Sequence, residues 1–196
     1  MSPPLLVALV LAVLFVWGVF LWNRLVRSRN DVRNAWSQID VQLARRHDLV
    51  PNLVEVVKGY ARHEADLLRE VAEARSRAVR LASRGADAAG ELGEAETTLG
   101  LAISRLLGIA EAYPELKASR NFLALQEELA STENRIAFAR QAYNDAVARY
   151  MTLRESFPDR LLAGGFEPYP YFTMKDEAAR RTPDVTLDDL AGRSAV

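Results

Sequence analysis

The chain has 196 residues, room for one domain and an appendage, and its 25 Lys and Arg nearly balance 26 Asp and Glu. A net charge of -1 gives no electrostatic footprint for nucleic acid. The absence of cysteine excludes disulfides, thiol catalysis and thiolate metal sites.

Leu5 to Trp22 is a run of 18 uncharged residues. As a helix it spans roughly 27 Å, close to the hydrocarbon thickness of a bilayer. Pro3 and Pro4 suit a helix start, and Trp17 and Trp22 suit the far interface. A signal peptide wants positive charge before the apolar run and small residues after it. Neither is present, so residues 1–23 are read as an uncleaved anchor in contact with lipid. No Lys or Arg precedes the run, whereas Arg24, Arg27, Arg29 and Arg33 follow it. The positive-inside rule then predicts a single-pass protein of the inner membrane, with the N-terminus outside and the C-terminal domain in the cytoplasm. This basic collar is either a topology signal alone or also a contact for anionic lipid.

No Gly or Pro intervenes between Asn23 and Pro51, so the anchor is expected to run into the first helix of the domain. Alternating steps of four and three pick out Val32, Trp36, Ile39, Leu43, Arg46, Val50, Leu53, Val57, Tyr60, Glu64, Leu67, Val71, Ala74, Ala78 and Leu81. That period is the seam of packed helices, not of a strand. Arg46 and Glu64 are its charged members and candidate interaction residues: they either fix register inside the seam or lie at exposed ends. Pro51 interrupts the seam. With Asp48 as N-cap it fits the first turn of a new helix, so a turn is expected at His47 to Val50, with a kinked continuous helix as the alternative. Glu70, Glu73, Arg75, Arg77 and Arg80 read as a solvated outer face, and Gly59 as a point of close helix approach.

Arg84 to Gly93 carries three glycines and reads as a hairpin. Leu92, Ala95, Leu99, Ile103, Leu106, Ala110 and Tyr113 form a third stripe, ended by Pro114. Phe122, Leu125, Leu129, Thr132, Ile136, Ala139, Tyr143, Ala146, Tyr150, Leu153 and Phe157 form a fourth. The predicted fold is all-α: an N-terminal transmembrane helix followed by an antiparallel up-and-down four-helix bundle over residues 24–157. Residues 158–174 read as an extended strap, in which Phe166, Tyr169, Tyr171 and Phe172 either pack on the bundle or offer an aromatic patch to a partner. Residues 175–196 are polar, lack a seam and are expected to be disordered.

Trp22-Asn-Arg-Leu-Val, Ala35-Trp-Ser-Gln-Ile-Asp-Val-Gln-Leu-Ala-Arg-Arg-His-Asp-Leu-Val-Pro-Asn-Leu, Val57-Lys-Gly-Tyr-Ala-Arg-His-Glu, Ala112-Tyr-Pro-Glu-Leu-Lys-Ala-Ser, Asn121-Phe-Leu-Ala-Leu-Gln-Glu-Glu-Leu and Glu133-Asn-Arg-Ile-Ala resemble the bacterial LemA family. Trp22 and His47 stand where that family has tyrosine, Met151 where it has asparagine, and Gly164-Gly165-Phe166 is shortened. The resemblance implies a membrane-anchored helical domain without an agreed catalytic site, associated with other envelope proteins.

The residues agree that chemistry is not the purpose. Di-metal bundles need Glu-x-x-His pairs, but Ala44 and Tyr60 stand three before His47 and His63, and both histidines read as surface or helix-end residues. His63-Glu64 lacks the second histidine of a zinc-protease helix. No cofactor is implied and an enzyme is not expected. Two functions remain: a cytoplasmic scaffold or adaptor binding envelope-associated proteins, or a membrane-organising protein acting on lipid through its anchor and collar.

Overall fold

The computed structural model describes residues 3–174, so the expected disordered tail lies outside the described residues. The first element, α1, is a single helix from Pro3–Tyr60, 58 residues long. It is followed by α2 (Ala65–Ala82), α3 (Ala89–Ile109), a short α4 (Pro114–Lys117) and α5 (Arg120–Glu155). Tight turns at Gly85–Ala88, Ala110–Ala112 and Asp159–Gly165 join or follow them, and no strand occurs among the described residues. The chain is all-α, with a long apolar helix at its N-terminus.

The expected turn at His47 to Val50 does not form, and Asp48 caps nothing: it lies exposed within α1. Two physical effects carry the helix through Pro51. The seam stays in phase, so Val50, Leu53 and Val57 are buried together. At about 1.5–3 kcal/mol each, their burial outweighs the roughly 3 kcal/mol that an interior proline costs. The second effect is local. Proline leaves the carbonyl four residues earlier without its helical donor, and that carbonyl, His47 O, accepts instead from Arg75 Nε at 2.5 Å. Arg75 is thus a half-buried prop for α1 and not a solvated outer residue.

The reversal comes later, at Ala61 to Glu64, and resets the helical phase. Glu64 therefore leaves the seam: it precedes α2, its carbonyl accepts from Leu68 N at 3.0 Å, and its side chain makes no cap. Leu68 is buried in place of Leu67. Gly59 has open space around it, so it stands in the last turn of α1 and not at a close approach. The Arg84 to Gly93 hairpin is shorter than expected, because α3 starts at Ala89 and takes Gly90 and Gly93 into the helix. Gly85 supplies the one left-handed residue of the turn, at φ 71°.

The helices divide the domain into two levels. In the distal level, α1 beyond Val50, α2, α3, α4 and the start of α5 share one core that includes Leu53, Val71, Leu99, Leu106, Leu116 and Phe122. In the membrane-proximal level, α1 and the end of α5 enclose Leu25, Val32, Ile39, Tyr143, Val147 and Tyr150. There Phe166 and Phe172, from the chain beyond α5, complete the core. The α2 and α3 pair covers the distal part of α1, and the C-terminal strap covers the rest.

Candidate functional site

The two cores meet at a layer of charge. Arg46 and His47 leave the inner face of α1 just before Pro51, and Glu96 reaches them from α3. Glu96 is fully buried, Arg46 is 4% exposed and His47 5%. The Glu96 carboxylate accepts from Arg46 Nη1 at 3.3 Å and from His47 Nε2 at 2.6 Å. Arg46 Nη2 turns outward to Glu133 of α5 at 3.1 Å, and Glu133 is half exposed. One guanidinium therefore ties α1 to α3 and to α5. His47 is a buried partner of this layer, not the surface residue expected from its place beside the seam.

Arg46 is brought into the core as its seam position requires, whereas Glu64 stands beyond the far end of α1 and takes no part. Glu96 and Glu133 were not anticipated. Glu96 had a signal: it lies four residues after Leu92 and three before Leu99, on the apolar stripe of α3. Glu133 had none, since it sits among exposed polar residues of α5.

Beside this layer a groove of about 520 Å³ runs between α3 and α5. Its walls mix Leu101, Leu107, Ala130 and Ala137 with Ser104, Gln126, Asn134 and Arg140, and Arg46 and Glu133 lie in it. Gly100 opens the groove to Arg46: a Cβ there would stand 2.9 Å from Arg46 Nη2. Arg46 is already engaged by two carboxylates, Glu96 and Glu133, so the arrangement offers no spare positive charge but a groove of mixed character, with apolar side chains beside polar groups that could hydrogen-bond an amphipathic segment. Among the described residues no group of three or more His, Cys, Asp or Glu could hold a metal ion.

The strap residues fall into two sets. Phe166 is buried with its ring edge-on to Trp22 at 5.0 Å and under the Arg29 guanidinium at 5.2 Å. Phe172 packs edge-on to Trp36 at 5.8 Å. Tyr169 accepts from Arg33 Nε at 3.2 Å, and Tyr171 is exposed. The backbone of the strap is held by side chains of α5. Tyr143 Oη donates to Pro170 O at 2.9 Å and Tyr150 Oη to Glu167 O at 2.8 Å, and Arg154 Nε donates to Phe166 O at 2.8 Å. Asn144 makes a two-way clasp, donating to Phe172 O and accepting from Phe172 N, each at 3.0 Å. Burial pushes the Tyr143 and Tyr150 phenols above their ordinary range, which keeps both as donors in alkaline solution. Gly93 lets the strap lie against α3, where a Cβ would overlap the carbonyl of Thr173.

Much of the collar is engaged by the protein itself. Arg24 Nη1 lies 3.6 Å from the buried Asp159, Arg29 covers Phe166 and Arg33 holds Tyr169. Arg27 is exposed.

The LemA family model matches residues 35–187. The chain belongs to the LemA family. It is similar to magnetosome proteins MamQ 1 and MamQ 2 of Paramagnetospirillum magneticum, each 26% identical over alignments covering 84% of this chain and 68% of theirs. A protein LemA of Metamycoplasma hominis is 27% identical, over 62% of this chain and 54% of its own length. None of these names is that of an enzyme. With the exposed apolar helix at its N-terminus, this LemA-family chain is a membrane-associated helical protein.

Proposed function

We propose that the protein is a non-enzymatic scaffold of the inner membrane, single-pass, with its N-terminus outside and its helical domain in the cytoplasm. In this reading the α3/α5 groove receives an amphipathic segment of an envelope-associated protein. The observation that carries the reading is the groove itself: apolar side chains such as Leu101 and Leu107 interleaved with Gln126, Asn134 and Arg140, beside the layer in which Glu96 and Glu133 hold Arg46. The strap serves this role less well, because Phe166 and Phe172 are spent on the core. The orientation rests on Arg24, Arg27, Arg29 and Arg33 following the apolar run.

A photoreactive residue at Leu101, inside the groove, is expected to give protein adducts in intact cells, whereas the same residue at Val41, an exposed position of α1 outside the groove, gives none. Equal yields at both sites overturn the groove reading. A reporter fused to the C-terminus is expected to fluoresce and to lack periplasmic phosphatase activity, and the opposite result overturns the topology. Direct action on lipid is the second reading, supported by exposed Arg27 beside the span. It predicts lipid adducts at position 27 and none with protein at Leu101.

A further inference from the structure

The base of the domain carries apolar side chains that the core does not use. Phe157 is 78% exposed and Leu161 71% exposed, four residues apart on the segment that follows α5. Their depth relative to the bilayer is set by contacts on either side. Asp159, between them, is buried and lies 3.6 Å from Arg24, two residues past the end of the apolar run. Phe166 meets the ring of Trp22, the last residue of that run. Leu21 is already buried, whereas the helix before it is exposed. The register of the long helices agrees. Trp36 packs on Tyr143 and Arg45 pairs with Glu128, so α5 descends as α1 rises. At equal rise per residue, the end of α5 stands opposite the last turn of the apolar run.

We propose that Phe157 and Leu161 form a second foothold in the same bilayer, inserted at the headgroup boundary beside the anchor. The occupant of this patch is lipid, because the Asp159–Arg24 and Phe166–Trp22 contacts place the patch at the level where the span ends. Burying two large apolar side chains there opposes rocking of the domain about its single anchor.

The absence of native cysteine makes the test direct. Full-length protein is placed in nanodiscs of phosphatidylethanolamine and phosphatidylglycerol, with a nitroxide on a single cysteine replacing Phe157, Leu161 or Phe138. Phe138 is the control: 75% exposed and apolar, but midway along α5. Collision with dissolved oxygen and with a water-soluble nickel complex is measured for each. The expected result is a several-fold loss of nickel access at 157 and 161 with oxygen access kept, and free nickel access at 138. Nickel access at 157 and 161 equal to that at 138 overturns the proposal. So does protection from both reagents, which reports a protein contact in place of lipid. Circular dichroism of each labelled protein is expected to match the parent, and a variant at 157 or 161 that does not match is replaced by one labelled at Arg160, between them.

Discussion

The distal and membrane-proximal levels of the domain solve one problem in two ways. Both must cover the inner face of α1. In the distal level α2 and α3 do so with helical stripes, whose own backbone needs are met internally. In the proximal level an extended segment does so, and its backbone has no such partners. Tyr143, Asn144, Tyr150 and Arg154 supply them one by one. The distal cover depends on apolar area, and the proximal cover depends on apolar area together with a row of hydrogen bonds that must all be placed. The charged layer of Arg46, His47 and Glu96 lies between the two.

The largest test of this division is at the layer itself. Replacing Glu96 by alanine leaves His47 without its buried partner and Arg46 with Glu133 alone, and is expected to cost about 3 kcal/mol in denaturant unfolding. Glu133→Ala, at a half-exposed partner, is expected to cost under about 1 kcal/mol. Equal losses would deny the layer its buried character. Next comes Asn144→Ala, which orphans the N–H and C=O of Phe172 and is expected to cost about 2–4 kcal/mol. Hydrogen exchange is expected to rise around Phe172 and in the lower part of α5 while α2 and α3 keep their protection. Uniform loss would mean that the two levels unfold as one.

Smaller effects probe the distal level and then the proximal one. Arg75→Ala leaves the His47 carbonyl unpaired and is expected to cost about 1–2 kcal/mol. In a Pro51→Ala background the restored N–H takes that carbonyl, so the same change is expected to cost almost nothing. An undiminished cost in the double variant would reject the prop. The smallest effect is a pH dependence. The raised phenols of Tyr143 and Tyr150 bind their protons more tightly folded than unfolded. Their contribution is complete below the ordinary tyrosine value near 10 and is lost as pH rises above it. Tyr143→Phe is expected to flatten the stability curve above about pH 10, by about 1 kcal/mol, and leave its shape below pH 9 unchanged.

What could be read beforehand was what repeats over long distances. The stripes Val32-Trp36-Ile39-Leu43 and Ile136-Tyr143-Tyr150 specify their faces over several turns, and the aromatic residues Phe166, Tyr169, Tyr171 and Phe172, interleaved with Pro168 and Pro170, announce a segment that is neither helix nor loose loop. Pro51 misled because its cost is written locally, whereas its remedy, Arg75, lies 24 residues further on in a different helix. Ala61 to Glu64 carries no proline or glycine, so nothing in its own composition marks the reversal. Arg46 was legible as a charge on an apolar stripe. Glu96 belongs to the same kind of signal on α3, and only the meeting of the two stripes makes either one intelligible.

The unbroken course of α1 turns the anchor into an axle. Each residue along it advances the chain by about 1.5 Å and turns it by about 100°, with no hinge between the lipid and the charged layer. One residue inserted after Trp22 would swing the domain around its own span by that angle, taking the contact between Trp22 and Phe166 with it. Tilt is conveyed in the same way: Arg46 stands about 36 Å beyond Trp22, so a 10° lean of the span displaces the groove sideways by about 6 Å. Bilayer thickness, which sets the lean of a spanning helix, therefore sets where the groove points.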